Sequence, residues 1–295
     1  TSYHACLTAS YLFSKIAKMH INVVVASEFP SYEHFLTDKT LVIAVSQSGE
    51  TADVLEAVKT AKNKNSKVIS LVNVMGSSLH RYSDQSLMMH AGPEICVVAT
   101  KTYTSQLAIL TLLAYTLVEK YEEGKQELKY LWNLIYNLTS ANTRDSIKQL
   151  AESLKDSRHI FLIGRGLQYP TALEAALKIK EVSYIHAEGF SGGELKHGPI
   201  TLIENGTPCI VFVSEENEKE TISNAVEIKS RGGYIIGVAP KNNEVFDFFI
   251  KVPEVGNTNP IAQIIPIQTL GYQLALLRGH DPDMPRNLAK SVTVK

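Results

Sequence analysis

Cysteine is scarce in this sequence of 295 residues, and the few that occur are scattered: Cys6, Cys96 and Cys209. An odd number without a CxxC spacing is not typical of a disulfide framework or of a zinc site. The nine histidines have no HxH or HxxxH spacing, so no metal is expected, and no motif indicates another cofactor. A reduced, cytoplasmic setting is the expectation that follows.

An excess of charge and a long apolar run are also missing. Lys and Arg number 29 against 30 Asp and Glu, a net charge of −1, whereas nucleic-acid binding normally needs clustered positive charge. The longest apolar stretch, residues 107–118, is too short to span a bilayer. The first residues, TSYHAC, have no basic segment ahead of an apolar one, as a signal peptide would. Nucleic-acid and membrane partners are therefore not expected.

Short β-branched runs alternate with helical patterns along the chain. Residues 41–45 (LVIAV) are followed by SQSGET, a helical pattern over 52–62 and a second run at 68–72 (VISLV). This order is typical of the strand–helix–strand units of parallel sheets. The second half repeats it, with strands predicted at 160–163, 210–213 and 234–238 and helices predicted at 170–183 and up to residue 231. The sequence therefore predicts an α/β fold with parallel sheets.

The two halves are weak copies of each other. TSYHA at the start corresponds to GRGLQYPTA, and VIAVSQSGE corresponds to VFVSEENEK. We expect a first domain over residues 1–140, a second over 141–280 and an irregular tail over 281–295. Helical stretches at 100–120 and 126–154 are expected to pack domains or subunits together. The first copy lacks its opening strand, so we expect the chain to begin inside a longer protein.

The segment 46–51 (SQSGET) lies where a predicted parallel strand ends and a helix begins. Ligands bind at this end of such sheets, and the free N–H groups of a helix start favour a phosphate. Three hydroxyls add donors without charge, and Gly49 lets the backbone approach closely. An ordinary helix cap is the alternative, because Ser, Gly and Thr are common in caps. The second copy has SEENEK here, whose carboxylates would repel a phosphate, so the halves are expected to differ.

Three strings carry a more specific resemblance: SQSGET, ALKIKEVSYIHAEGFSGGELKHGP and DPDMPRNLAKSVTVK. Together they resemble the isomerase half of the glucosamine-6-phosphate synthase family over essentially the whole chain. The resemblance implies two tandem flavodoxin-like SIS domains, a homodimer, a glutaminase domain upstream and no cofactor. It also implies a hexose 6-phosphate substrate: fructose 6-phosphate is isomerised and, with ammonia, gives glucosamine 6-phosphate.

The resemblance implies where the substrate is held. The positions matching the family's substrate-binding residues are Thr1, Ser2, Ser46, Gln47, Ser48, Thr51, Val97 and Ala289. Around Val97 the chain reads CVVAT where the family usually has a GVAST-like string. Glu94 matches an acidic family position near the site and is expected to give support only.

The resemblance also implies the chemistry. Interconverting a ketose and an aldose moves a proton between C1 and C2, which needs a base and an electrophile. Glu181 matches the family's base, and Lys178, on the same helix face, matches the lysine that assists at the sugar hydroxyl. His197 matches the residue that opens the ring, delivered from the neighbouring subunit. Lys290 matches the tail lysine that forms a Schiff base at C2, and its pKa should be depressed when the tail closes over the sugar.

Ordinary roles remain open for the same residues. Lys178 and Glu181 would otherwise form a surface ion pair. His197 would be a loop residue with satisfied hydrogen bonds, and Lys290 a solvated charge. A deaminase or deglycase acting on glucosamine 6-phosphate is the alternative enzyme, although it need not share the NLAKSVTV tail. A regulator that binds a sugar phosphate without chemistry is the alternative from another class.

Overall fold

The computed structural model describes residues 1–294, and its strands form two parallel sheets. Within this part of the chain the first sheet has the order β1-β2-β3, with β1 at Leu41–Ser46, β2 at Lys67–Val72 and β3 at Gln85–Met88. The second sheet, again counted over these residues, has the order β5-β4-β6-β7-β8: β4 His159–Gly164, β5 His186–Ser191, β6 Pro208–Phe212, β7 Tyr234–Ala239 and β8 Phe248–Lys251. The predicted α/β class with parallel sheets is confirmed.

Helices cover the sheets and connect the halves. They are α1 Ser2–Leu12, α2 Ala52–Asn63, α3 Ser78–Tyr82, α4 Lys101–Thr116, α5 Tyr121–Leu138, α6 Ala141–Leu154, α7 Gln168–Ser183, α8 Glu218–Lys229 and α9 Asn259–Leu277. A π-helical turn, Phe13–Ala17, extends α1. Residues 281–294 contain neither helix nor strand, which agrees with the irregular tail predicted.

The internal duplication is visible in the topology. The order β1-α2-β2 is repeated as β6-α8-β7, with parallel pairing in both copies. In the second copy β4 pairs with the other side of β6, whereas within residues 1–294 no strand pairs with the other side of β1. The strands form because their β-branched and aromatic residues are buried, as in β4, where every residue after His159 is buried.

The prediction of one continuous helix over 126–154 is wrong, because two helices cover this stretch. The helix α5 begins earlier, at Tyr121, and ends at Leu138, and α6 begins at Ala141. Ser140 separates them because its hydroxyl accepts a hydrogen bond from the backbone N–H of Thr143, at 3.4 Å, and so caps α6.

The main hydrophobic core is shared by the two halves. Its buried members include Leu12 of α1 and Leu107 of α4 together with Ile179 of α7 and Leu270 of α9. Helices from both copies therefore pack against one another between the two sheets. This packing brings α1 alongside α7 and so determines which side chains meet at the site described next.

Candidate active site

The segment 46–51 connects β1 to α2 and is folded around its own hydroxyls. Ser46 Oγ accepts the backbone N–H of Gly49 at 3.1 Å, and Ser48 Oγ accepts that of Glu50 at 3.2 Å. Thr51 occupies the cap position of α2 but makes no side-chain cap bond; its hydroxyl lies 3.3 Å from Ser46 Oγ. The side chain of Thr51 therefore does not cap α2, and Ser46 and Ser48 accept N–H groups of the segment itself.

Gly49 is required at its place in this segment. Its φ of +69° lies in the left-handed region, and a Cβ there would lie 2.2 Å from Ser77 Oγ. The close approach of α3 also restrains Glu50, whose carboxylate accepts the backbone N–H of Ser78 at 2.7 Å. That hydrogen bond lowers the pKa of Glu50 and keeps its negative charge engaged at α3.

Lys178 is the centre of a buried charged cluster on α7. Its side chain is 2% exposed, and its Nζ lies 2.6 Å from Glu181 Oε2 and 3.3 Å from Glu174 Oε1. The same Nζ donates to Thr1 Oγ1 at 2.9 Å. The surface ion pair considered from the sequence is therefore wrong for Lys178, because packing of α1 against α7 buries this face.

Glu174 was missed by the sequence analysis. It is fully buried, one turn before Lys178, and also accepts hydrogen bonds from Thr1 Oγ1 at 3.0 Å and His4 Nδ1 at 2.7 Å. A glutamate at i−4 from Lys178, with Glu181 at i+3, places all three on one helix face. That spacing was the available signal, but burial of the face could not be read from it.

The charges of the cluster stabilise one another. Burial alone would raise the pKa of Glu174, but the positive charge of Lys178 and the hydrogen bond from His4 outweigh it and leave that pKa lowered. Burial alone would lower the pKa of Lys178, but the carboxylates of Glu174 and Glu181 leave it raised. Lys178 is therefore a protonated, fixed cation beside Glu181, whose side chain stays 20% exposed.

The tail docks on the 46–51 segment. Ser291 Oγ lies 3.1 Å from Ser48 Oγ, and the Val292 carbonyl accepts the backbone N–H of Ala52, the first residue of α2, at 3.1 Å. The tail is also fixed to the end of α7, because the Arg286 N–H donates to Tyr184 Oη at 2.8 Å. The Val292 carbonyl thus accepts a backbone N–H at the helix start that would otherwise be available to an anion.

Lys290 and Cys96 link the tail to the loop before α4. Lys290 Nζ donates to the Cys96 carbonyl, and the Cys96 thiol donates to the Pro282 carbonyl at 2.9 Å. Beside them the Val97 N–H donates to the Asp283 carbonyl at 3.2 Å. Lys290 is exposed, and partial burial of its amine, with a smaller contribution from the charge of Lys178, lowers its pKa.

The remaining predicted residues have different surroundings. Ser2 Oγ accepts from Gln106 Nε2 at 3.1 Å, next to the cluster, whereas Gln47 holds its loop through its carbonyl, bonded to the Asn73 N–H at 3.1 Å. Glu94 is buried and accepts the backbone N–H groups of Thr100, at 3.2 Å, and Thr102, at 3.1 Å. Its role is therefore to cap the start of α4, which supports the loop that carries Val97.

His197 and Ala289 are not joined to this cluster by any hydrogen bond between residues 1–294. His197 is exposed and ends a 3-10 turn, Glu194–His197, that follows β5. Ala289 is exposed in the tail, next to Lys290. His197 therefore faces outward from the chain that carries Glu181.

Metal ligands and membrane spans were searched over the same described residues. No group of three or more His, Cys, Asp or Glu side chains in residues 1–294 is arranged to hold a metal ion. No helix in that range is long and apolar enough to cross a membrane.

Comparison with known proteins gives a consistent set of relatives. The SIS domain profile matches residues 1–116 and 153–277. Enzymes named glutamine–fructose-6-phosphate aminotransferase (isomerizing) align with 100% of the chain: the one from Thermococcus kodakarensis is 48% identical and the one from Pyrococcus horikoshii 47%. The alignments cover 51% and 50% of those proteins, so the chain spans about half the length of the curated relatives it matches.

Solved structures agree with these relatives. The C-terminal domain of glucosamine-fructose-6-phosphate aminotransferase from Francisella tularensis superposes with a TM-score of 0.89 at 36% identity, over 96% of this chain and 83% of that one. A glucosamine-6-phosphate deaminase from Thermotoga maritima superposes with a TM-score of 0.82 at 27% identity, over 99% of this chain and 87% of that one. The same arrangement of elements therefore occurs in proteins named for both directions of amino-sugar chemistry.

Proposed function

The chain belongs to the SIS-domain family, with the C-terminal domains of glucosamine-fructose-6-phosphate aminotransferases among its members, and on that premise we propose that it isomerises fructose 6-phosphate. With ammonia as the second substrate, the product is glucosamine 6-phosphate. Without ammonia, the product is glucose 6-phosphate.

One observation carries this proposal: Lys178 Nζ is held at 2.6 Å from Glu181 Oε2 and at 2.9 Å from Thr1 Oγ1. A fixed cation beside a partly exposed carboxylate is what proton transfer next to a carbonyl needs. The hydroxyl-lined segment 46–51, at the start of α2, suits the phosphate of the same substrate. The role of Thr51 and its neighbours as phosphate donors is part of the proposal.

Glu181 acts as the base in this proposal. In the open-chain ketose it removes a proton from C1, the C1–H electron pair forms the C1=C2 double bond, and the C2 carbonyl electrons move to O2. Lys178 stabilises the negative charge that develops. Glu181 then returns its proton to C2, the O1–H electron pair forms the C1=O bond, and the O1 proton passes to O2, which gives the aldose.

Lys290 supplies the amination step. Its neutral amine attacks the C2 carbonyl and water leaves, which forms a Schiff base; ammonia then displaces the lysine and leaves an imine at C2. The same C1-to-C2 proton transfer converts that imine into the 2-amino aldose. The lowered pKa of Lys290 supports this role, because the attacking form is the uncharged one.

The proposal extends to partners of the chain. We include in the proposal a glutaminase domain upstream that supplies ammonia, and a second copy of the chain whose His197 opens the sugar ring. The exposure of His197 supports the second point, because an exposed side chain is accessible to a second copy of the chain. Three free cysteines support a reduced, cytoplasmic setting.

The test is incubation of the purified chain with fructose 6-phosphate, with and without ammonium, followed by assays for glucosamine 6-phosphate and glucose 6-phosphate. Both products are expected, and Glu181→Gln should abolish both while leaving the fold intact. Absence of both products from the unmodified chain, in a sample whose circular dichroism and dimer state are normal, refutes the proposal.

A deaminase acting on glucosamine 6-phosphate is the second candidate, favoured by the Thermotoga maritima structure. The contacts of the tail with segment 46–51, such as Ser291 with Ser48, favour the synthetic direction, since the tail then contributes to the site. Initial rates of ammonia uptake and ammonia release separate the two candidates. Release faster than uptake at equal substrate saturation would favour the deaminase.

A further inference from the structure

A cavity of about 480 Å³ opens in the second half, away from segment 46–51. It lies between the start of α7, which carries Gln168, the turn after β6, which carries Glu216, and the end of α1 with its π-helical turn, which carry Tyr11 and Lys15. In the second sheet β4 and β6 are neighbours, and the strand that follows each of them in sequence lies on the opposite side: β5 beside β4 and β7 beside β6. Ligands of open α/β sheets bind where the strand order diverges in this way, and the volume suits a small molecule.

The duplication makes this cavity the counterpart of the candidate active site. In the cavity α8 follows β6, as α2 follows β1 in the candidate active site. The helix α1 lies at the cavity, as α7 lies at the candidate active site. Lys15 follows Tyr3 at the same distance along the chain as Glu181 follows Tyr169. A cation therefore stands where the first site has its carboxylate, so the cavity cannot repeat the proton transfer proposed for Glu181.

Gln168 lines the cavity and carries an unused hydrogen-bond donor. Asn217 Oδ1 accepts the backbone N–H of Ser214 at 3.2 Å, so Asn217 Nδ2 must be the group that donates to Gln168 Oε1, at 2.7 Å. This fixes the orientation of the Gln168 amide. Its Nε2 is left without an acceptor among residues 1–294, although the residue is only 2% exposed. A buried donor of this kind favours a ligand that brings an oxygen.

The charges at the cavity are balanced and do not suit an anion. Lys15 and Arg165 are matched by Glu216 and Glu220, and Lys15 is already paired with Glu216 at 2.5 Å. Arg165 Nε donates to Asn224 Oδ1 at 3.0 Å. The start of α8 therefore meets carboxylates where the start of α2 meets the hydroxyls of segment 46–51, and a phosphate would be repelled there.

We propose that this cavity is a second binding site, for an uncharged hexose. Sugar hydroxyls both donate and accept: they donate to the carboxylates of Glu216 and Glu220 and accept from Gln168 Nε2. The site is separate from the one that holds the phosphorylated substrate, and it stands whether or not the proposed isomerase activity is found.

The experiment measures binding of D-glucose to the intact chain by ligand-observed NMR, with saturating inorganic phosphate present to fill the anion site. Binding is expected to weaken about tenfold or more in Glu216→Gln and in Gln168→Leu. Glu218→Gln, which changes a neighbouring glutamate outside the cavity wall, is the matched control and should bind as the unmodified chain does.

Glu181→Gln separates the two proposals, because it removes turnover if the isomerase assignment is right and leaves this binding unchanged. Gln168 belongs to a buried network and its variant can misfold, so the surface variant Glu216→Gln is decisive. Absence of D-glucose binding overturns the inference. So does binding that Glu216→Gln leaves unaltered, or a glucose-soaked crystal with only water beside Gln168 Nε2.

Discussion

Glu174 Oε1 lies 3.3 Å from Lys178 Nζ, one helical turn apart on α7, and neither side chain is more than 2% exposed. The cation that we place beside the reacting carbons is therefore held by a carboxylate that itself faces no solvent. Removing the charge of one partner leaves the other charge buried with less compensation. This lowers the free energy of unfolding more than the loss of an exposed ion pair does.

The variant Glu174→Gln should lower the free energy of unfolding by about 2–4 kcal/mol, measured by urea denaturation. The matched control is Glu123→Gln, which breaks an exposed pair with Lys120 at 3.0 Å and should cost less than about 1 kcal/mol. Equal losses in the two variants would contradict the buried role of Glu174.

The same pair predicts a pH dependence of stability. The folded pKa of Glu174 lies below its ordinary 4.5, so its contribution is present above pH 4.5 and is lost as the pH falls below it. The folded pKa of Lys178 lies above its ordinary 10.5, so its contribution is present below pH 10.5 and is lost as the pH rises through the folded value. The stability gap between the unmodified chain and Glu174→Gln should therefore narrow below pH 4.5; a gap that widens there is the opposite result.

Gly49→Ala should raise the KM for fructose 6-phosphate several-fold and destabilise the fold, because its Cβ would lie 2.2 Å from Ser77 Oγ. Gly76→Ala is the control: its φ of +75° is equally left-handed, but nothing lies within 4 Å of the added Cβ. Gly76→Ala should cost only the backbone strain, about 1–2 kcal/mol, with KM unchanged. Steady-state kinetics and thermal unfolding of both variants measure the difference, and matching KM values would show that the Ser77 contact is irrelevant to binding.

Lys290 should form a covalent adduct when the chain is treated with fructose 6-phosphate and borohydride, detected by mass spectrometry. Because burial lowers its pKa, the pH at which trapping is half-maximal should lie below 10.5. Lys290→Arg should give no adduct, whereas Lys180→Arg, a lysine on α7 outside the buried cluster, should trap normally. An adduct that persists in Lys290→Arg would assign the Schiff base to another residue.

Ser291→Ala removes the contact of the tail with Ser48 and should speed tryptic cleavage after Lys290 about 2–10-fold, the effect of losing one ordinary hydrogen bond. Thr293→Ala is the control in the same tail, since no hydrogen bond of its side chain occurs within residues 1–294. Cleavage rates followed by mass spectrometry distinguish the two, and identical rates would mean that Ser291 does not hold the tail.

Local patterns predicted what depends on neighbours in sequence. The unit β1-α2-β2 was predicted because a β-branched run, a loop and a helical pattern follow directly on one another, and α7 was placed within two residues. The break between α5 and α6 was missed because a single Ser140 cap outweighs a continuous apolar spacing. A cap residue ends a helix and a continuous apolar spacing extends it, and the sequence alone does not show which of the two prevails.

The candidate site needed contacts that no local pattern carries. Glu174 looks like any glutamate on a helix until α1 covers it. Glu94 was expected to support the site, but only its hydrogen bonds to Thr100 and Thr102 show that it does so as a helix cap. The roles of Thr1, His197 and Lys290 rest on resemblance, and reductive trapping tests that of Lys290.

Thr1 donates to Glu174 at 3.0 Å and accepts from Lys178 at 2.9 Å, across 173 and 177 positions of sequence. The charged cluster on α7 of the second copy is thus hydrogen-bonded to Thr1, which belongs to the first copy. Chimeras that exchange a single copy between relatives must therefore keep Thr1 matched to Glu174 and Lys178. A well-folded hybrid in which these residues do not match is expected to be inactive.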